Sequence, residues 1–267
     1  MAHSWQDSAV NIRRACFATV AATSLLAAAL PVVVAQDDVA WAEPLPERVL
    51  FVGNSHTARN GGLDWLIEGF VAAEDSPRSF DGTALTEGGV TLEHHWQNGT
   101  REEIRKGDFD TVVLQGYLPG APTRTAEPFL EHARLLEGAV RESGANTVLF
   151  MTWPRGFNDW SDIDDVIEAH RTLEAELDAS VAPAAYAFEL AKAQRPELQL
   201  LSEDRVHATW AGAYLAAATV YATLFERSPE GLPFTFGVSA DDAAFLQQIA
   251  WQALTAWREG AELPTEA

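Results

Sequence analysis

The stretch VLFVGNSHTARNGG, residues 49–62, joins a short apolar run to a polar turn that contains a serine. Residues 49–53 are apolar without alternation, which is typical of a strand buried on both faces of a parallel sheet. The polar residues 54–57 follow at once, so we expect Ser55 directly after the carboxyl end of this strand. A serine in such a turn could cap a helix. It could also be a nucleophile, provided that a histidine and a carboxylate support it.

Strand-like and helix-like segments alternate along the rest of the chain, which favours βαβ units and a parallel sheet between two layers of helices. Further strands are predicted at residues 83–88, 111–116, 146–153 and 179–185, and helices at 127–143, 162–178, 210–226 and 240–258. The predicted fold is a three-layer α/β/α sandwich with a five-stranded, mostly parallel sheet. Right-handed crossovers place the carboxyl ends of all strands at one edge, where sites in such sheets are found.

A second segment whose side chains could take part in catalysis is LSEDRVHATWAGAYLAA, residues 201–217, in which Asp204 and His207 precede a helix. Their spacing of three lets the carboxylate bind one ring nitrogen while the other faces a serine. Glu203, four residues before His207, is the alternative to Asp204 as the acid that orients the histidine. The alternative interpretation is a turn aspartate and a helix-capping or surface histidine.

Together these segments resemble the SGNH, or GDSL-type, serine hydrolases. The first block of that family, Gly-x-Ser after strand one, is matched by residues 53–55, and the last, Asp-x-x-His, by residues 204–207. The second block, a glycine before a threonine, is matched within EGGVTLEHHW (87–96) by residues 89–91. The α/β-hydrolases instead carry Gly-x-Ser-x-Gly in mid-chain, whereas here Thr57 follows two residues after an early serine.

The third block departs from the family pattern, which is Gly-x-Asn-Asp with an asparagine that helps to hold the oxyanion. The chain has VVLQGYLPG, residues 112–120, so Gln115 stands at the glycine and Tyr117 at the asparagine. Gln115 could supply the amide donor or could bind a neighbouring loop, and which residue replaces the asparagine stays open. Loss of an oxyanion donor costs about 3–4 kcal/mol of barrier.

The resemblance implies a flavodoxin-like fold and acyl transfer without a cofactor. Ser55 would attack an ester carbonyl, His207 would take its proton, and Asp204 would hold the histidine ring. The N–H groups of Ser55 and Gly89, with Gln115 as a third candidate, would receive the oxyanion. The expected substrate is a small acyl ester, with an O-acetyl carbohydrate as one form. The alternatives are a catalytically impaired carbohydrate- or ligand-binding protein of the same fold, and a structural domain in which the serine only caps a helix.

Other residues have candidate roles outside these blocks. Trp153 and Trp210 are placed to stack on a sugar ring, although tryptophan packs in cores at least as often. Arg124 and Arg155, in loops after strands three and four, could meet an anionic substrate group or lie on the surface. His56, His94 and His95 do not indicate a metal site, because neighbours on a helix point about 100° apart and no His-Glu-x-x-His run is present. No metal is therefore predicted.

Composition narrows the class of partner. Thirty-nine Asp and Glu against 18 Lys and Arg give a net charge of −21, which disfavours nucleic acids and anionic membranes. Residues 1–35 are typical of a signal peptide cleaved after Ala35, so periplasmic or extracellular export is expected, with a retained membrane anchor as the alternative. A polar leader (36–45), one domain (46–260) and a tail (261–267) follow. The single cysteine, Cys16, falls inside the signal, which excludes a disulfide and a cysteine nucleophile from the mature chain.

Overall fold

The protein folds around a five-stranded sheet in the computed structural model, which describes residues 45–116, 125–154 and 162–263. The strands are β1 (Arg48–Gly53), β2 (Asp81–Thr86), β3 (Thr111–Leu114), β4 (Asn146–Phe150) and β5 (Ala179–Ala182). Their order is β2-β1-β3-β4-β5, and every neighbouring pair is parallel. The predicted α/β fold class is confirmed, with a sheet that is wholly parallel among these strands.

The described helices form two groups that cover the sheet. They are α1 (Ser55–Ala58), α2 (Leu63–Ala72), α3 (Leu92–Gln97), α4 (Thr100–Gly107), α5 (Glu127–Ser143), α6 (Ile163–Glu176), α7 (Ala184–Gln194), α8 (Trp210–Phe225) and α9 (Ala240–Arg258). Helices α2, α7, α8 and α9 pack together, and so do α3, α4, α5 and α6, while each group also contacts the strands. This arrangement is the predicted three-layer sandwich.

Burial explains why these segments take their places. The interior strand β1 is buried from Val49 to Gly53, so its side chains need helices on both faces. Helix α8 is apolar on all sides and is buried from Gly212 to Phe225, so it lies at the centre of its layer against α2, α7 and α9. The amino end of α8 lies near the segment that follows β1, because Asn60 donates to the carbonyl of Thr209, which caps α8.

The strand boundaries differ from the sequence prediction at several ends. The strand predicted at 83–88 covers Asp81–Thr86, and the one predicted at 146–153 ends at Phe150. The segment predicted at 179–185 ends at Ala182, because Pro183 caps helix α7. The apolar pattern alone does not show where a strand passes into a loop or into the cap of the next helix.

Some predictions fall outside the described residues. These are the signal peptide, most of the polar leader, Tyr117, Arg124, Arg155 and the end of the tail. The domain boundaries likewise stay predictions. Among the described helices, none combines the length and apolar character needed to cross a membrane.

Candidate active site

The turn after β1 holds Ser55 in a fixed position. Asn54 caps the short helix α1, and its Oδ1 accepts from the His56 backbone N–H at 3.0 Å. The side-chain amide of Asn54 donates to the Val90 carbonyl at 3.0 Å, which ties the turn to the loop after β2. Ser55 itself is half-buried as the first residue of α1. The capping role that the sequence left open is thus filled by Asn54, and the serine hydroxyl is left for another partner.

That partner is His207, which is distant in sequence. Its Nε2 lies 2.9 Å from Ser55 Oγ, and its Nδ1 lies 2.7 Å from Asp204 Oδ2. A neutral imidazole with its proton on Nδ1 satisfies both contacts, donating to the carboxylate and accepting from the serine hydroxyl. The structure therefore brings the three predicted residues into one hydrogen-bonded line.

The acid and the histidine share a tight hairpin, closed by a β-bridge between Leu201 and Ala208. Within it the Ser202 N–H donates to the His207 carbonyl at 2.8 Å. Asp204 Oδ1 accepts from the backbone N–H groups of Val206 and His207, each at 2.9 Å. The hydrogen bond from the His207 ring and these two backbone bonds hold the pKa of Asp204 well below its usual range. The carboxylate consequently stays charged throughout the neutral range.

Two further contacts hold the hairpin in place, one to the segment after the serine turn and one to helix α8. Asn60 Nδ2 donates to the carbonyls of Ala208 and Thr209 at 3.0 and 3.1 Å. Asn60 has a φ of 57°, a conformation that asparagine tolerates better than most residues. At the other side, a Cβ on Gly212 would overlap the Leu200 carbonyl, so only glycine permits this approach of α8 to the hairpin. Ser55 and His207 thus reach each other through a rigid junction.

Trp153 is a correction to the sequence prediction, because it does not present its ring to a substrate. Its side chain is 4% exposed and stacks on Phe188 at a centroid distance of 4.1 Å. Its Nε1–H donates to the Val206 carbonyl at 2.8 Å, next to His207. The His56 ring lies 5.2 Å from Trp153 and 5.9 Å, edge-on, from His207. Trp153 therefore packs inside the protein and supports the hairpin through its bond to the Val206 carbonyl.

Gln115 is buried, 1% exposed, beneath the serine turn. Its Oε1 accepts from the Asn54 N–H at 2.8 Å and from the Thr57 hydroxyl at 3.0 Å. Its Nε2 donates to the Gly116 carbonyl at 3.1 Å. The amide donor is engaged with the main chain, so these contacts favour the second of the two roles left open, in which Gln115 binds a neighbouring loop.

The packing of Gln115 also explains the glycine before the serine. A Cβ on Gly53 would overlap the Thr57 hydroxyl and lie 2.6 Å from Gln115 Oε1. His95 completes the support, because its Nε2–H donates to the Gly53 carbonyl at 2.8 Å while its Nδ1 accepts from the Thr100 hydroxyl at 3.1 Å. Burial lowers the pKa of His95, which favours this neutral form.

The remaining predicted residues lie around this centre. Gly89 has a φ of 76° and no atom near a Cβ placed on it, so backbone conformation and not space calls for glycine there. His94 Nε2 lies 3.0 Å from Glu87 Oε2 at the surface. Glu203 is exposed, and the carboxylate bound to His207 is that of Asp204. Trp210 is 48% exposed at the start of α8, capped by Thr209.

Sequence reasoning missed Asn60, and it left open whether Trp153 and Gln115 act at the site or support it from inside the protein. The pair Asn60-Gly61 carried a turn signal, but nothing local indicates which carbonyls Asn60 would bind. The roles of Trp153 and Gln115 depend on neighbours more than 50 residues away in the chain.

Known structures share this fold. No protein-family model matches the chain, and no curated protein matches it by sequence. A protein of Slackia heliotrinireducens assigned to the SGNH hydrolases is 24% identical with a TM-score of 0.56, over 67% of this chain and 98% of its own. A DUF4886-family protein from Bacteroides uniformis is 18% identical with a TM-score of 0.62, over 81% and 97%. The acetyl xylan esterase AlAXEase is 18% identical with a TM-score of 0.57, over 65% and 98%. The chain therefore has the three-layer fold of the SGNH, or GDSL-type, hydrolases, as its sequence blocks predicted.

Proposed function

We propose that this protein is a serine esterase that cleaves small acyl esters through Ser55, His207 and Asp204. The observation that carries the proposal is the line of two hydrogen bonds, 2.9 Å from Ser55 to His207 and 2.7 Å from His207 to Asp204. A serine hydroxyl is a weak nucleophile near neutral pH, and a hydrogen-bonded histidine oriented by a carboxylate is the arrangement that activates it.

In the proposed first step, Ser55 Oγ attacks the ester carbonyl carbon while its proton passes to His207 Nε2. The imidazolium that forms is stabilised by Asp204, whose low pKa keeps it ionised so that it holds the ring without taking the proton. The proton then moves from His207 to the leaving alcohol oxygen as the carbon–oxygen bond breaks, and an acyl-enzyme remains. Water gives a proton to His207 and attacks that acyl group, which releases the acid and restores Ser55.

The oxyanion formed in both steps needs fixed donors. We propose the backbone N–H of Ser55, which as the first residue of α1 has no acceptor within the helix. The second proposed donor is the N–H of Gly89, in a loop anchored beside Ser55 by the bond from Asn54 to Val90. Gln115 supports these donors by accepting from the Asn54 N–H and the Thr57 hydroxyl while one of its two amide N–H donors bonds the Gly116 carbonyl, and we propose a positioning role for it.

The proposed substrate class is an acetyl or similarly short ester on a carbohydrate, and the proposed location is outside the cytoplasm. The first is supported by the fold shared with an acetyl xylan esterase and by the exposed ring of Trp210 near His207. The second rests on the signal-like residues 1–35. Export is tested by the mass of the mature protein, which cleavage after Ala35 would fix.

The proposal is tested by release of 4-nitrophenol from 4-nitrophenyl acetate by the purified protein, compared with Ser55→Ala and His207→Ala. We expect turnover by the wild type and a loss of at least about 10³-fold in kcat in each variant. Equal, slow release by all three proteins would overturn the esterase assignment and favour a ligand-binding protein on the same fold.

A further inference from the structure

Three aromatic side chains form a surface cluster that the ester chemistry does not use. Trp65 on α2 and Trp210 on α8 are 46% and 48% exposed, and Phe236 lies between them. The ring centroids of Trp65 and Phe236 are 4.4 Å apart, those of Trp210 and Phe236 are 5.0 Å apart, and both contacts are edge-to-face. We call Trp65, Trp210 and Phe236 the aromatic platform. Exposure of two large apolar rings to water costs free energy, and a contiguous exposed aromatic patch is typical of a binding surface.

The aromatic platform lies at the junction of the two segments that carry the reactive groups. Trp210 follows His207 by three residues, so their Cα atoms are at most about 11 Å apart. Trp65 packs against the turn after α1, where a Cβ on Gly61 would lie 3.1 Å from its ring. The next residue back, Asn60, is bonded to the carbonyls of Ala208 and Thr209. The platform is therefore carried by the same two segments that bring Ser55 and His207 together.

The platform is also held rigidly, as a preformed binding surface requires. Phe236 is stacked parallel to Phe234 at a centroid distance of 6.1 Å. Phe234 in turn packs on Phe70 and on Tyr214, and the Tyr214 hydroxyl donates to the Phe234 carbonyl at 2.5 Å. Gly237, with a φ of 71°, lets the loop pass under Trp210, where a Cβ would lie 3.5 Å from the indole. Phe236 is thus anchored to the core through this loop, while helices α2 and α8 hold the two tryptophans.

We propose that the aromatic platform binds a neutral polysaccharide chain and presents its acyl groups to Ser55. Pyranose rings have apolar C–H faces whose partial positive charge is attracted to the negative face of an indole. Two exposed indoles flanking a fixed phenyl ring offer such faces to successive sugars of one chain. The net charge of −21 repels anionic polymers and anionic lipid surfaces, and aromatic faces bind the apolar faces of uncharged sugars, so we favour an uncharged glycan as the occupant. The choice of an acylated glycan rests on the proposed esterase function, but binding to the sugar chain does not.

Binding is tested without turnover by affinity electrophoresis in gels that contain deacetylated neutral xylan. The variants are Trp65→Ala, Trp210→Ala and their double variant, with Leu135→Ala as the matched control because Leu135 is an exposed apolar side chain on α5. We expect each tryptophan variant to weaken retention about fivefold, in keeping with the energy of one aromatic contact. Leu135→Ala should be retained like the wild type, and Trp→Phe variants should recover part of the loss. Circular dichroism shows whether each variant is folded.

A second readout uses catalysis. The ratio of kcat/KM on acetylated xylan to kcat/KM on 4-nitrophenyl acetate should fall about fivefold in each tryptophan variant. Equal retention of wild type and double variant on xylan would overturn the proposal. The proposal would also be overturned if the wild type bound no xylan but did bind vesicles of uncharged phosphatidylcholine, or formed a dimer, and the double variant lost that binding or that dimer. If the protein binds xylan through the platform but hydrolyses no ester, the platform stands and the esterase proposal fails.

Discussion

Replacement of Gln115 by leucine separates a positioning residue from an oxyanion donor. The substitution keeps the side-chain volume roughly constant but removes the oxygen that accepts from the Asn54 N–H and the Thr57 hydroxyl. Both donors are buried, and each costs about 1–3 kcal/mol when left unpaired. The Gly116 carbonyl keeps its bond from the Thr152 hydroxyl at 3.3 Å, so it adds little. We therefore expect a loss of about 2–6 kcal/mol in the free energy of unfolding.

At about 2–4 °C per kcal/mol for a domain of this size, such a loss lowers Tm by roughly 4–24 °C. The turn that carries Ser55 should also loosen, so kcat should be reduced even at temperatures well below Tm. Thermal unfolding followed by circular dichroism, together with kcat on 4-nitrophenyl acetate at 20 °C, measures both effects. Gln97→Leu is the matched control, because its amide bonds Glu93 at the surface and its loss should cost less than about 0.5 kcal/mol.

Gln115→Glu sharpens the test. A carboxylate still accepts from both donors, but its second oxygen then faces the Gly116 carbonyl, which a protonated carboxyl binds and an ionised one repels. The native state therefore raises the pKa of the new group, so the variant should be most stable below about pH 4.3 and lose stability as the pH rises. A wild-type Tm in Gln115→Leu combined with a 10²–10³-fold fall in kcat, about the cost of one oxyanion donor, would refute the positioning role.

Further predictions concern three other side chains. Trp153→Phe keeps the stacked ring but leaves the Val206 carbonyl without its 2.8 Å donor, so kcat should fall about threefold or more at unchanged KM, with a loss of about 1 kcal/mol in urea unfolding. Asp204→Asn should lower kcat about 10⁴-fold, because an amide favours the wrong tautomer of the histidine, and should lower Tm near neutral pH, because it removes a carboxylate that the native state stabilises. Burial lowers the pKa of His170 to about 4 from 6.5, so the unfolded chain binds a proton between these pH values that the native chain does not. The free energy of unfolding should thus fall by about 3 kcal/mol as the pH drops through that window. His170→Gln should abolish this part of the fall, whereas His132→Gln, in which a half-buried ring makes the same 2.8 Å bond to a carbonyl four residues back, should leave it unchanged.

The sequence was most informative where pattern and chemistry are local. The buried run before Ser55 and the close spacing of Asp204 and His207 predicted both the sheet edge and the residues that meet there. Parallel topology explains why segments 152 residues apart could be expected to converge, since all strand ends share one edge.

Side-chain contacts between segments that are distant in sequence could not be predicted from local patterns. Whether Gln115 turns its amide towards a substrate or towards the main chain depends on the position of Asn54, 61 residues earlier. For Trp153 the sequence allowed either a ring that lines the site or core packing, and stacking on Phe188 shows that it packs in the core. Phe236 carries no motif, and only the folded chain places it between two tryptophans on other elements.

The central claim, that Ser55 is a nucleophile activated by His207, is tested most directly by a fluorophosphonate probe and mass spectrometry of the labelled peptide. The account predicts one equivalent of probe on Ser55 in the wild type, labelling at least about 10³-fold slower in His207→Ala, and none in Ser55→Ala. A wild-type protein that remains unlabelled at Ser55, or one that labels equally fast without His207, would contradict it.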